Sequence, residues 1–371
     1  MVPANFELAH DQFQLPIESQ QRSYAVAGPA LKCSTEGNEL AITSSRVKFI
    51  FNKESGLVTS YKVKGTEYFD KGFGLQPNFW RAPNDNDYGN QGPRRLQIWK
   101  ESSKDFKVVD ATLAMDGKDA VMKVSYHLAA GNLYIATYRV HPSGVVKADY
   151  TFTSCAREAS KTELSEAMQT ATFSPGNEDR MKESSKLVVP RIGVRFRMPV
   201  AMNKVTYFGR GPEENYIDRN NGTMVGLYSN TAEGMYFPYV RPQENGHHTD
   251  TRWLTIGKRA GKGLSIYADQ PMGFNTLRNS VEDFDGEEAT HRDYQWNNRN
   301  AEELKHDVST AKNVKPRQTH INDITPRDFV EVCLDMKQMG LGGYDSWGAR
   351  PDKQYLIPAN QEYKWGFTMV P

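Results

Sequence analysis

Cysteine is scarce, with three in 371 residues, and Cys33, Cys155 and Cys333 are far apart and odd in number. A disulfide framework is therefore excluded, and so is a thiolate metal centre, which needs close pairs. Their expected place is the interior, as small hydrophobes. An excess of one charge is also missing, since 46 Lys and Arg stand against 45 Asp and Glu. A nucleic-acid partner would call for a basic surplus, so none is expected. No apolar run approaches the ~18 residues of a membrane-spanning helix, and Met1–Asn5 carry no signal-peptide pattern. No membrane partner is expected, and the compartment stays open between cytoplasm and periplasm. Helical periodicity is rare too. A capping-box pattern, Asn300-Ala301-Glu302-Glu303, predicts a single helix running to about Ala311. Nothing resembles eight alternating strand–helix units, which excludes a (β/α)₈ barrel.

Aromatics are plentiful, with 18 Tyr, 17 Phe and 6 Trp, and period-two alternation dominates. The run Val121–Leu128 and the run Leu133–Val140, joined across Gly131-Asn132, read as a hairpin. His141–Gly144 then turns the chain into a strand over Val145–Phe152. Similar runs recur at Leu40–Phe51, Leu57–Val63, Arg191–Met198, Trp253–Ile256, Leu264–Tyr267, Phe329–Met336 and Tyr363–Met369. Strands at this density, with Gly, Pro and Asn between them, predict packed antiparallel sheets. Phe6, Leu8, Phe13 and Leu15 mark one further strand ending at Pro16, followed by a polar linker over Glu18–Ser23. A lone strand cannot bury its face, so residues 1–20 are expected to be the remnant of a preceding domain cut from a longer chain. One large all-β domain is expected over 25–371.

Motifs that carry chemistry are few. Gly209-Arg210-Gly211-Pro212 lacks the third glycine of a dinucleotide loop, and Pro212 removes an amide, so a tight turn between strands is expected. Asn84-Asp85-Asn86-Asp87-Tyr88-Gly89 resembles the front of a calcium loop, but its twelfth position is Leu96. It reads as a hydrogen-bonded loop, with another oxygen-rich cation site as the alternative. His247-His248-Thr249-Asp250 could seed a metal site, against the plainer reading of a polar loop or satisfied surface pair. In Gly342–Gly348 turn formers surround Trp347, placing an indole on a loop. Such a ring suits the C–H face of a sugar, or else belongs to a satellite core. No pair of carboxylates is marked as catalytic by its spacing.

Three segments together carry a resemblance. They are Asn78–Asp87 (NFWRAPNDND), Tyr207–Arg219 (YFGRGPEENYIDR) with Pro238–Gly246 (PYVRPQENG), and Met339–Trp347 (MGLGGYDSW). In this order they resemble the C-terminal, small-chain region of family-2 β-galactosidases, and the resemblance covers the chain from about residue 25. It implies a β-supersandwich of two large antiparallel sheets, galactose-mutarotase-like, preceded by the last strand of an immunoglobulin-like domain. It implies no catalytic residue in this chain, because both catalytic glutamates sit on a barrel elsewhere in the parent, a homo-oligomer. It implies no cofactor in this chain, the parent family using magnesium and sodium ions. Trp347 matches the tryptophan that forms a platform for the β-galactoside. Arg81, Asn84, Asp85, Asp87 and Gly89, with Asp345 and Ser346, match loops at the rim of the same pocket. Gly89 and Gly92 would let the first of these loops, from Arg81 to Gly92, move, the alternative being a structural role in docking against the barrel. Tyr344 departs from the acidic residue expected there. Mutarotase-type epimerisation would need a His and a Glu, for which Glu244, His247 and His248 qualify by residue type alone. A free-standing carbohydrate-binding module and the small subunit of a two-chain enzyme are the competing expectations.

Overall fold

The computed structural model describes residues 10–16, 23–160, 162–163, 186–285, 320–345 and 348–371. Five strands form one antiparallel sheet: β1 Lys32–Glu36, β2 Glu39–Thr43, β3 Val47–Asn52, β4 Leu57–Val63 and β5 Thr66–Glu67. The second sheet begins with β6 Gln76–Asn78, β7 Lys107–Asp116, β8 Asp119–His127, β9 Leu133–Val140 and β10 Val146–Thr153. It continues with β11 Arg191–Pro199, β12 Lys204–Gly211, β13 Met224–Thr231 and β14 His248–Arg259. The last three strands are β15 Lys262–Leu277, β16 Phe329–Gln338 and β17 Glu362–Val370. Its main path runs β13-β12-β14-β15-β17-β10-β9-β8-β7, with β16, β11 and β6 branching from β15. The branch exists because β15 is long. Ser265–Ala268 pair with β17, while Gly273–Leu277 pair with β16.

Alternation explains the packing. On β8, Ala120, Met122, Val124 and Tyr126 point inward, as do Tyr134, Ala136, Tyr138 and Val140 on β9. Their aromatic rings meet the small sheet, with Phe49 against Tyr138 at 5.6 Å and Phe51 against Tyr126 at 6.4 Å. One apolar core is shared by both sheets. The expected all-β architecture of packed antiparallel sheets is thus the one observed.

Several local expectations differ. Leu40–Phe51 is two strands, because Ser44 Oγ accepts the amides of Arg46 and Val47 and turns the chain. Gly209 and Gly211 lie in β12 rather than in a turn. A side chain at Gly209 would sit 2.5 Å from Thr251 Oγ1, so glycine there serves close packing against β14. Residues 10–16 pair as no strand; instead the Gln12 side chain bonds both backbone groups of Val225 on β13. Asn84–Gly89 is not a loop but the start of three short helices, α1 Asp85–Gly89, α2 Gly92–Arg95 and α3 Gln97–Lys104. Of the cysteines only Cys333 is buried, while Cys33 is half-buried and Cys155 exposed. The helix expected from Asn300 lies outside the described residues, as do Ser346 and Trp347. No helix among the described residues is long and apolar enough to cross a membrane.

Candidate functional site

The first motif segment leaves β6 and enters α1. Asn84 caps the helix: its Oδ1 accepts the Asp87 amide at 2.8 Å, and Asp87 Oδ2 accepts the Asn84 amide at 3.1 Å. This reciprocal arrangement satisfies two of the free donors at a helix start. Asp87 is buried because Arg81, only 2% exposed, bonds it at 3.0 Å. Asp85 remains at the surface, where Arg241 reaches it at 3.1 Å. A side chain at Gly92 would stand 3.0 Å from the Asp87 carbonyl oxygen, so glycine there permits close packing of the chain.

This helix is the seat of the third motif segment. Arg81 Nη2 donates to the Gly340 carbonyl at 3.3 Å, and Asn84 Nδ2 to the Leu341 carbonyl at 3.3 Å. Gly348 lies so near Gly89 and Asn90 that a side chain would stand 2.6 Å from the Gly89 backbone. Residues 340 and 348, on either side of Trp347 in the sequence, therefore both rest on α1 and its approach. Asp345 is at the surface and accepts the Ala349 amide at 2.9 Å. Tyr344 donates to the Arg350 carbonyl at 2.6 Å. A cavity lined by Asp87, Asn90, Arg95, Met339, Arg350 and Leu356 lies beneath this contact. Within it burial and the neighbouring Arg350 charge push Arg95 down to about 10.

The second motif segment closes the group. Asn215 Oδ1 accepts both the amide and the hydroxyl of Thr249, at 2.9 and 2.6 Å. Glu214 takes donors from Arg219, Tyr239 and the Gly246 amide. Burial and the Glu214 charge push the Tyr239 phenol up to about 12. Asp218 accepts the Gly342 amide at 2.9 Å.

Beneath the three segments runs a buried ionic network that sequence reasoning missed. Arg191 forms a two-pronged pair with Asp335, both contacts at 2.8 Å, and donates to Asn275 Oδ1 at 2.7 Å and the Trp80 carbonyl at 3.2 Å. Glu244 accepts from Asn275 at 3.1 Å and from the Ala82 amide at 3.3 Å. His247 Nδ1 faces Asn275 Oδ1 at 2.9 Å. Gly193 leaves the room that Asp335 needs, since a side chain there would lie 2.2 Å from its carboxylate. β11 carries Arg191, Arg195 and Arg197 and β16 carries Glu331 and Asp335, but which of these charges meet is set only when the two strands pair. A second cluster joins Arg195 to Glu282 and Glu331, and Arg197 to Glu331.

The two histidines are buried, not a surface pair or a polar loop. His247 stacks on Tyr216, whereas His248 packs between Tyr207 and Phe274 and faces the Pro212 carbonyl at 3.2 Å. Burial, aided by the Arg191 charge, pushes His247 down to about 3, and burial lowers His248 also. Glu244 and His247 do come together, but both are consumed by the network and neither is open to a sugar ring. Among the described residues no three His, Cys, Asp or Glu side chains are grouped to hold a metal ion.

Comparison with known proteins decides the family. Residues 43–369 match the family described as β-galactosidase small chain. This chain belongs to that family. A β-galactosidase from Priestia megaterium is 30% identical over 370 residues, covering 99% of this chain and 30% of that protein. One from Streptococcus thermophilus is 26% identical, covering 90% of this chain and 27% of that protein. The chain thus spans under a third of the length of these relatives. A β-galactosidase small subunit from Latilactobacillus sakei is 26% identical, covering 86% of this chain and 92% of that subunit. Among solved structures, a galactose mutarotase related enzyme from Lactobacillus acidophilus is 7% identical with a TM-score of 0.40, covering 90% of this chain and 96% of that one. That likeness is too distant to assign chemistry.

Proposed function

We propose that this small chain completes the rim of a β-galactoside site whose two catalytic glutamates lie on a barrel outside it, in a retaining family-2 enzyme. The observation carrying this reading is the convergence of the three motif segments on α1 and the residues flanking Trp347. Trp347 supplies the apolar platform for the sugar. Arg81, Asn84 and Asp87 hold the rim from below, and Asp85, Gly89, Asp345 and Ser346 belong to its edge. Its acid and base come from the catalytic part, because Glu244 and His247 are spent on structure. The small-subunit relative supports a partner catalytic subunit.

The test is reconstitution. A chromogenic β-galactoside is offered to the purified chain alone, then to the chain mixed with the catalytic portion of a β-galactosidase relative that is inactive by itself. Hydrolysis is expected only in the mixture. Turnover that follows the purified chain alone through successive columns would contradict the assignment of the catalytic groups.

A further inference from the structure

The cavity beneath α1 is small, about 10 Å³, with room for one ion or one water molecule. Much of its wall is apolar, built from Val188, Met339, Pro351 and Leu356. Two guanidinium groups also line it, Arg95 from the end of α2 and Arg350 from beyond the third motif segment. Arg95 is only 8% exposed. Among the described residues the one hydrogen bond of its head runs from Nη2 to Asn90 Oδ1, at 3.1 Å. Its Nε is buried without a protein partner. Asp87 is the one acid among the described residues that line the cavity, and it is already engaged. Arg81 reaches both its oxygens, at 3.1 and 3.0 Å, and the second oxygen also accepts the Asn84 amide. Three cations thus stand around one carboxylate.

We propose that this cavity binds one small monovalent anion, chloride in solution, held by the Arg95 Nε–H and by the combined charge of Arg95 and Arg350. Charge balance and size select that ligand. A guanidinium keeps its proton throughout the ordinary pH range, so its burial is not relieved by neutralisation. A buried charge without an opposite charge is costly, and two like charges in one dry space add to the cost. Burial and the Arg350 charge accordingly lower Arg95, and burial lowers Arg350 as well. An anion between them removes the repulsion and gives the Arg95 Nε–H its acceptor through a charge-assisted bond. Phosphate is too large for the space and would need more donors than the apolar wall offers. A halide needs few directed bonds and tolerates contact with Val188, Met339 and Leu356. No part of this depends on the corner being the rim of a sugar site.

Two measurements on the full chain test this. The NMR line of chloride should broaden when the protein is added. Bromide should reverse the broadening by competition, whereas gluconate, too large for the cavity, should not. No excess broadening, or reversal by gluconate as complete as by bromide, would overturn the proposal and leave loose pairing with surface cations. The melting temperature should also rise in chloride relative to an equal concentration of gluconate, because an ion that binds the folded chain alone stabilises it. Arg95→Met, close in length but without charge, should lose both responses, and Arg95→Lys, which keeps the charge without the Nε–H, should weaken them. A folded Arg95→Met chain that broadens the line as wild type does would overturn the proposal, showing an adventitious ion only. Should Arg95→Met fail to fold, Arg350→Met decides on the same readouts. A several-fold loss of broadening is expected there, and full retention would overturn the site.

Discussion

His247 is buried beside the fixed charge of Arg191, and this gives the fold a pH dependence with a definite sign. Its folded value of about 3 lies below the ordinary 6.5, so the unfolded chain takes the proton first as pH falls. The contribution to stability is complete above pH 6.5 and is lost as pH falls toward 3. Between pH 7.5 and 5 the loss from this one residue is about 2 kcal/mol. Glu282, held at about 2 against its burial by Arg195, is lost in a separate range below its ordinary 4.5. Urea unfolding at pH 7.5 and 5 should therefore show His247→Gln losing about 2 kcal/mol less than wild type across that interval. Parallel losses in the two proteins would contradict the buried neutral state. At this scale the sequence was a partial guide. Adjacent histidines in a polar stretch look like surface residues, because their burial depends on Tyr216, Asn275 and Phe274 arriving from other parts of the chain. The Arg191–Asp335 pair was equally hidden, since a charge at an inward strand position is recognisable only once its partner strand is known.

Strands were the most legible elements, because alternation over eight or nine residues, as in β8 to β10, encodes both conformation and buried face. The short helices were not. α1 has five residues, too few for an apolar period, and is held by Asn84 as cap and by Arg81 on Asp87. Its Asn and Asp side chains suggested a loop for a sound reason, since the same groups serve turns and helix starts alike. Asn84 also grips Leu341, so it joins two elements. Asn84→Ala should lower stability by about 1 kcal/mol in urea unfolding, and Asn84→Ser, which keeps a capping oxygen, should recover most of that loss. Equal stability of the alanine variant and wild type would show that the cap does not hold α1.

Over the whole molecule, three segments distant in sequence, near residues 80, 215 and 342, meet at one corner of the two-sheet body. β11, β12, β15 and β16 bring them there, and the Arg191–Asp335 network fixes the strands that do so. The motifs were visible in the sequence as polar and glycine-rich interruptions of the strand pattern. Their meeting place was not, because it depends on the branch at β15, which no local signal marks. Reading the corner as the rim of a galactoside site makes residue 347 the decisive position. In the reconstituted enzyme, Trp347→Ala should raise KM by about 5- to 150-fold, the equivalent of 1–3 kcal/mol of lost apolar contact. The change should fall mainly on KM, because the contact is shared by bound substrate and transition state, and Trp347→Phe should lose less. The melting temperature should hardly move. An unchanged KM with a lowered melting temperature would contradict the account, making Trp347 part of the packing of this chain and not part of a sugar site.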